Sequence, residues 1–193
     1  MTEAIDSNIL WSRFSGMGKH STKRLNIFAP MNGIHYQHRL ILQAAPEQVY
    51  EAITRVSEWW TVNTEGQSRT VGDQFTVQFG DVHLTKQRVT EAAPGKRMVW
   101  LVTESQLPWL KDMEEWKGTE LVFDIASTNE GTQLTFTHIG LTPQVECFAQ
   151  CEKGWDYFLG ESLRKLITEG AGLPDTTART HMDTIGHVRP TNA

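Results

Sequence analysis

Cysteine is scarce, with only Cys147 and Cys151 in a chain of 193 residues. Two thiols four positions apart cannot build a disulfide framework, and on one helix their side chains run in parallel instead of facing each other. The chain therefore reads as cytoplasmic, with reduced thiols. Long apolar runs are missing too, and no stretch approaches the ~20 residues that a membrane span needs. Positive charge is in the minority: 18 Lys and Arg stand against 23 Asp and Glu, for a net charge of −5. That balance supplies no field to hold a phosphate backbone, so nucleic acid and membrane drop to minor alternatives. The sequence also contains no Gly-x-Ser-x-Gly, no Walker loop, no dinucleotide glycine fingerprint after a strand and no His-Glu-x-x-His, and it implies no cofactor.

Aromatic residues are what the sequence has in quantity, with seven Trp and eight Phe. With 39% hydrophobic residues the chain is too apolar to stay disordered and long enough to bury a core. Its two ends read differently from its middle. Residues 1–33 carry Arg13, Lys19, Lys23 and Arg24 against Glu3 and Asp6, show no sustained period, and lack the apolar segment of a secretory signal. The two acids and the missing amphipathic face argue against a transit peptide. This segment is expected to be a tail, disordered or upstream of a natural start at Met31. Residues 174–193 lack periodicity and are likewise expected to be tail.

Between them, residues 34–173 carry a consistent pattern. Positions 35–43 (HYQHRLILQ) put Tyr36, His38, Leu40 and Leu42 on one face of a strand. Pro46 and Glu47 open a helix bearing Val49, Ala52, Ile53 and Val56, and a second short helix is expected over 57–60. Residues 72–79 and 82–91 form a hairpin about Gly80-Asp81, and a strand over 97–104 carries Trp100. A polar loop over 105–117 contains Trp109 and Trp116 and leads to a second hairpin, 118–127 with 132–139. A long helix is expected to start at Thr142-Pro143 and end at Gly170, its apolar stripe running through Phe148, Cys151, Trp155, Leu159, Leu163 and Leu166. Consecutive strands without intervening helices exclude doubly wound and barrel α/β architectures. The remaining solution is an α+β fold, a curved antiparallel sheet of six to seven strands with the long helix across its concave face.

Several local motifs fall in one order. They are Ala45-Pro46-Glu47-x-Val49-Tyr50-x-Ala52-Ile53, Trp59-Trp60, Gly72-x-x-Phe75, Gly118-Thr119 to Phe123, Thr135-Phe136-Thr137-His138-x-Gly140-Leu141, and Gly154-Trp155. Over about residues 34–173 this set resembles the START-like SRPBCC superfamily, and within it the branch named after the activator of the heat-shock-protein-90 ATPase. The resemblance implies a helix-grip fold (START/Bet v-like), in which the sheet wraps the C-terminal helix and leaves a mostly apolar cavity. It does not imply one function, because the fold hosts carriers, receptors, cyclases and cochaperone domains. Chaperone contact is a weak transfer, since residues 1–33 are too small and unpatterned to be the chaperone-engaging module of the eukaryotic cochaperone.

Six of the seven Trp fall inside the patterned region, and buried indoles each need a partner for the N–H. A ligand cavity lined by wide rings accounts for several of them. The candidate lining comprises Trp60; Phe75, Phe79, Trp100, Phe123, Phe136 and His138 from the strands; and Cys151, Trp155 and Leu159 from the long helix. Plain core packing is the competing reading for each ring. Trp109 and Trp116 suggest either a gate over the cavity mouth or an ordinary surface loop. His138 shares a face with Leu134 and Phe136. It reads as a ligand contact, as a general acid or base, or as a buried neutral ring satisfied by a backbone or tryptophan partner, with Glu104, Thr119 and Tyr157 as the polar groups in prospect. A metal is disfavoured, because two thiols and one imidazole lack a fourth ligand. Lys86 and Arg88 face the cavity if their strand is regular and solvent if it bulges, and Val89 argues for the bulge. Gly154 and Gly160 cost the helix about 0.5–1 kcal/mol each relative to Ala, so they either admit close helix–sheet contact or leave room for a ligand. The expected function is binding of a small hydrophobic or aromatic molecule. A cyclase, dehydratase or hydrolase using His138, and a chaperone activator, are the alternatives.

Overall fold

The computed structural model describes residues 34–177; the readings placed on 1–33 and on 178–193 lie outside the described residues. Strand β1 (Tyr36–Leu42) buries Tyr36 and Leu42 and half-buries His38 and Leu40, the face that alternation assigns inward. Helix α1 (Pro46–Thr54) begins on its proline, with Glu47 in the first turn. The Gln48 side chain accepts a hydrogen bond from the Ala45 N–H at 2.9 Å, which satisfies one donor that the helix start leaves open. A 3-10 turn, Val56–Glu58, follows and ends before Trp59 and Trp60, so the expected short helix does not include the two indoles.

Strands β2 (Thr64–Gly66), β3 (Gln74–Phe79), β4 (His83–Ala93), β5 (Arg97–Gln106), β6 (Glu120–Thr128) and β7 (Gly131–Ile139) complete one seven-stranded sheet. Its order is β1-β7-β6-β5-β4-β3-β2, antiparallel throughout. β2 is only three residues long, too short for alternation to announce it. In register, Phe123 faces Phe136, and His138 lies between Tyr36 on β1 and Leu121 on β6. β4 carries register shifts at Lys86/Gln87 and Val89/Glu91 against β5. Its inward side chains are Thr85, Gln87 and Val89, while Arg88 is exposed and Lys86 pairs with Glu104 at 3.4 Å. Neither base faces the interior, as the bulge reading had it, but the cause is different: β3 pairs with β4 in regular register, Phe79 against His83, Val77 against Thr85 and Phe75 against Gln87, which turns Lys86 and Arg88 away from the core.

The long helix starts later than the Thr142-Pro143 signal suggests. Turns occupy 143–147, and helix α2 spans Phe148–Tyr157. The reason lies in the β5–β6 loop: Glu115 accepts hydrogen bonds from the N–H groups of Glu146 (2.6 Å) and Cys147 (2.9 Å), so a distant carboxylate supplies the cap. From Phe158 to Leu163 the helix is π-helical, then α3 (Arg164–Glu169) continues it to Gly170, which caps it at φ 82°. Cys151, Trp155, Leu159 and Leu163 are all buried although they step by four three times running. On a 3.6-residue helix such a stripe drifts, and the wider π turns hold it on the sheet.

After the helix the chain runs back beside Trp60. The Leu173 N–H donates to Ser162 Oγ at 2.7 Å, and that hydroxyl donates to the Trp59 carbonyl at 2.6 Å. Asp175 bridges Thr61 in parallel. Within the segment expected as tail, Asp175 pairs with the backbone at Trp60 and Val62, and the Thr177 carbonyl accepts from the Asn63 amide at 2.7 Å. Among the described residues no helix is long and apolar enough to cross a membrane.

Candidate functional site

A cleft of about 420 Å3 opens between the long helix and the β3–β4 hairpin. The hairpin contributes Phe79, Val82 and His83; the turn after the 3-10 helix contributes Trp60; the β5–β6 loop contributes Trp109 and Trp116; and the helix contributes Gln150, Cys151, Gly154, Trp155 and Phe158. Six of these are aromatic rings besides His83, and none carries a full charge. The volume falls within the range of small-molecule pockets, and walls of this kind favour flat, uncharged ligands.

Ring geometry makes the walls rigid. Trp60 lies 4.9 Å from Trp155 between centroids, and Trp155 stacks on Trp116 at 5.8 Å and 14°. Phe79 meets Trp60 at 6.0 Å and Phe158 at 5.5 Å. The Trp116 N–H donates to Cys147 Sγ at 3.2 Å, and Glu115 beside it caps the helix, so the loop is pinned at both residues. Gly154 leaves a real opening, since a Cβ there would meet nothing within 4 Å. Gly160 differs: its Cβ position stands 3.5 Å from the His38 ring, so it faces strand β1 and not the cleft.

The candidate lining inferred from sequence divides in two. Trp60, Phe79, Cys151 and Trp155 line the cleft. Phe75, Trp100, Phe123, Phe136, His138 and Leu159 do not; each is at most 1% exposed and lies in the core beneath it. Trp100 is wedged against Phe75 at 4.9 Å and Phe123 at 4.8 Å, and its N–H finds no hydrogen-bond partner. Val82, His83, Gln150 and Phe158 are lining residues that the strand and helix patterns did not single out. Trp109 and Trp116, left open between gate and surface loop, both line the cleft, Trp116 buried and Trp109 44% exposed.

His138 has both ring nitrogens committed. The Trp155 N–H donates to Nδ1 at 3.1 Å, so Nε2 carries the proton and donates to Thr119 Oγ1 at 2.9 Å. The Thr119 hydroxyl passes the chain on to the Trp116 carbonyl at 2.6 Å. Burial, with His83 and His35 nearby, lowers the His138 pKa to about 3. A ring that is neutral and fully bonded has no site to offer a substrate, so an acid or base role has no geometry here. Of the other polar groups in prospect, Glu104 pairs with Lys86 and Tyr157 is 46% exposed.

His83 is the imidazole that lines the cleft. Its ring stands edge-on to Phe79 at 5.1 Å and Trp116 at 4.8 Å, and this enclosure lowers its pKa to about 4. Behind it, one arm of the buried Gln87 amide lies 3.1 Å from the Phe75 carbonyl and 3.3 Å from the Thr85 carbonyl, where only an NH2 group finds partners, so the amide oxygen takes the other arm and accepts the Thr85 hydroxyl at 2.6 Å. Thr85 Oγ1 lies 3.3 Å from His83 Nε2.

Cys147 and Cys151 are free. Contact with Cys151 and burial push the Cys147 thiol well above the ordinary range, which keeps it protonated and a poor nucleophile. Among the described residues no cluster of three His, Cys, Asp or Glu side chains is placed to hold a metal ion. Outside the cleft, Tyr36 donates to Asp156 at 2.7 Å and His38 pairs with the same carboxylate at 3.2 Å, tying β1 to the helix.

Comparison with known proteins gives a consistent result. The profile of the family described as Activator of Hsp90 ATPase homolog 1-like protein matches residues 43–168. Among solved structures, the Aha1 dimer from Colwellia psychrerythraea has 27% identity and a TM-score of 0.59, the match covering 72% of this chain and 99% of that one. A structural-genomics protein from Mesorhizobium loti has 17% identity and a TM-score of 0.57, over 72% of this chain and 98% of its own. A protein of the dynemicin biosynthetic locus, DynU16, has 22% identity and a TM-score of 0.51, over 70% of this chain and 48% of its own. No curated protein matches the sequence. The architecture is the α+β helix-grip fold that the sequence motifs implied.

Proposed function

This chain belongs to the Activator of Hsp90 ATPase homolog 1-like family, and from that premise we propose that it binds a small hydrophobic, aromatic molecule in the cleft between its long helix and the β3–β4 hairpin. The observation that carries this reading is the 420 Å3 opening walled by six aromatic rings with no charged group among its lining residues. Such walls gain by removing apolar ligand surface from water, at ~25 cal/mol per Å2, and ring stacking adds to it. Binding is favoured over catalysis because His138, the residue best suited by type to acid–base chemistry, is bonded at both nitrogens and lies outside the cleft. In this reading the protein works in the cytoplasm, where its two free thiols stay reduced.

The test is titration of the purified full chain with the neutral probe N-phenyl-1-naphthylamine, followed by tryptophan and probe fluorescence, with native mass spectrometry of protein taken from its own host. Saturable uptake with a change in tryptophan emission is expected. No uptake and unchanged tryptophan emission, together with stimulation of a chaperone ATPase by the same sample, would replace this reading with the cochaperone one.

A further inference from the structure

The proposed cleft contains one polar group whose hydrogen-bonding sense is fixed by the residues behind it. Buried Gln87 gives both amide hydrogens to carbonyls, those of Phe75 and Thr85, so its oxygen is an acceptor. The Thr85 hydroxyl spends its only proton on that oxygen at 2.6 Å. Toward His83 Nε2, 3.3 Å away, Thr85 Oγ1 therefore has only a lone pair to offer. His83 must supply the hydrogen there, which places its single proton on Nε2 and leaves Nδ1 as a bare acceptor. Enclosure between Phe79 and Trp116 keeps the ring neutral at physiological pH, so this tautomer is the species present.

Nδ1 has no hydrogen-bond partner among the described residues, and the half-buried His83 lines the cleft. An unused acceptor in an otherwise apolar, uncharged enclosure is specific in one direction. It rewards a ligand that brings a donor and penalises one that brings an anion or a second acceptor. Resting on the aromatic-ligand reading above, we propose that the ligand is a neutral aromatic bearing a hydroxyl or N–H, a phenol or its nitrogen equivalent, whose hydrogen is accepted by His83 Nδ1. Gln150 also lines the cleft but is exposed, and its amide serves as donor or acceptor equally well, so it does not set the preference.

Three probes of one skeleton test this at pH 7.5: naphthalene, 2-naphthol and 2-methoxynaphthalene, titrated into the full chain and into His83→Phe. The native chain is expected to bind 2-naphthol about tenfold more tightly than naphthalene, the worth of one net hydrogen bond. 2-Methoxynaphthalene, which has the oxygen but no hydrogen to give, is expected to bind like naphthalene. His83→Phe is expected to lose the preference for 2-naphthol over naphthalene, the ratio of the two affinities being the readout because the ring is itself part of the cleft wall. Equal binding of all three probes overturns the donor requirement and leaves the aromatic cleft standing. Preference for the methoxy compound over naphthalene means that Nδ1 carries the proton, and overturns it too. A naphthol preference that survives in His83→Phe assigns the acceptor elsewhere. Failure of all three probes to bind removes the cleft reading and this inference together. The three-probe comparison in the native chain decides the donor requirement even where the variant folds poorly.

Discussion

Replacing Gly154 by Leu separates occupancy of the cleft from stability of the fold. Gly154 sits in α2 between two turns that bury Cys151 and Trp155, and its Cβ direction is open for 4 Å. A Cβ there meets no neighbour within 4 Å, while glycine inside a helix is disfavoured by about 0.8–1.0 kcal/mol relative to a good helix former. The variant is expected to be at least as stable as the parent, with Tm higher by about 2–4 °C. Its side chain, however, occupies the space between Trp155 and the hairpin. If it keeps a flat ligand off ~100 Å2 of apolar wall, the loss is ~2.5 kcal/mol, close to 70-fold in affinity. Thermal unfolding and N-phenyl-1-naphthylamine titration of the same preparations give the two numbers, and Gly154→Ala, adding one carbon, is expected to gain stability and keep most of the affinity. A Leu variant that is stable and binds within about threefold of the parent would refute the placement of ligand in this cleft. A Leu variant that unfolds would refute the claim that the Cβ direction is open.

Other expectations follow from single contacts. Ser162→Ala removes the hydroxyl that joins the Trp59 carbonyl to the Leu173 N–H; the denaturation midpoint should fall by the equivalent of about 1–3 kcal/mol, and an unchanged midpoint would mean that water replaces the hydroxyl. Glu115→Ala leaves the N–H groups of Glu146 and Cys147 without their cap; about 1 kcal/mol of stability should go, and because Trp109 and Trp116 flank it in the loop, probe affinity should fall as well. Acidification should destabilise the fold. The free imidazoles of the unfolded chain take up protons below about pH 6.5, whereas in the folded state His83 and His138 do so only near 4 and 3. The unfolded state thus holds more protons throughout that window, and stability present above pH 6.5 is lost as the pH drops toward 4. At ~1.4 kcal/mol per pKa unit the pair together account for several kcal/mol. A Tm that stays flat from pH 7 to 4.5 would show that both rings are hydrated.

What the sequence determined by itself is whatever depends on neighbours in the chain. Alternation placed Leu121, Phe123 and Ile125 on β6 and Leu134, Phe136 and His138 on β7 toward the core, because the strand period of two is local. Pro46 and Gly170 marked helix ends through their own backbone preferences. The three consecutive steps of four from Cys151 to Leu163 even contained the signal for the π-helical segment, since an α-helix alone cannot keep that stripe on one side. Tertiary structure decided the cleft. Phe123, Phe136 and Trp100 have the same character as Trp60 and Phe79, but the first three are sealed while the last two line an opening, and only packing between separate elements makes that difference. The late start of α2 depends on Glu115 arriving from a loop more than thirty positions away. His83 is the clearest case. Its inward face follows from its pairing with Phe79 across a three-residue turn, where the two-residue turn expected at Gly80-Asp81 puts Val82 in that place. The tautomer that gives it meaning is set by hydrogen bonds among Gln87, Thr85 and the Phe75 backbone on the neighbouring strand. Hydrogen-bond sense in a buried chain is a property of the assembled network, and no residue in it carries that information alone.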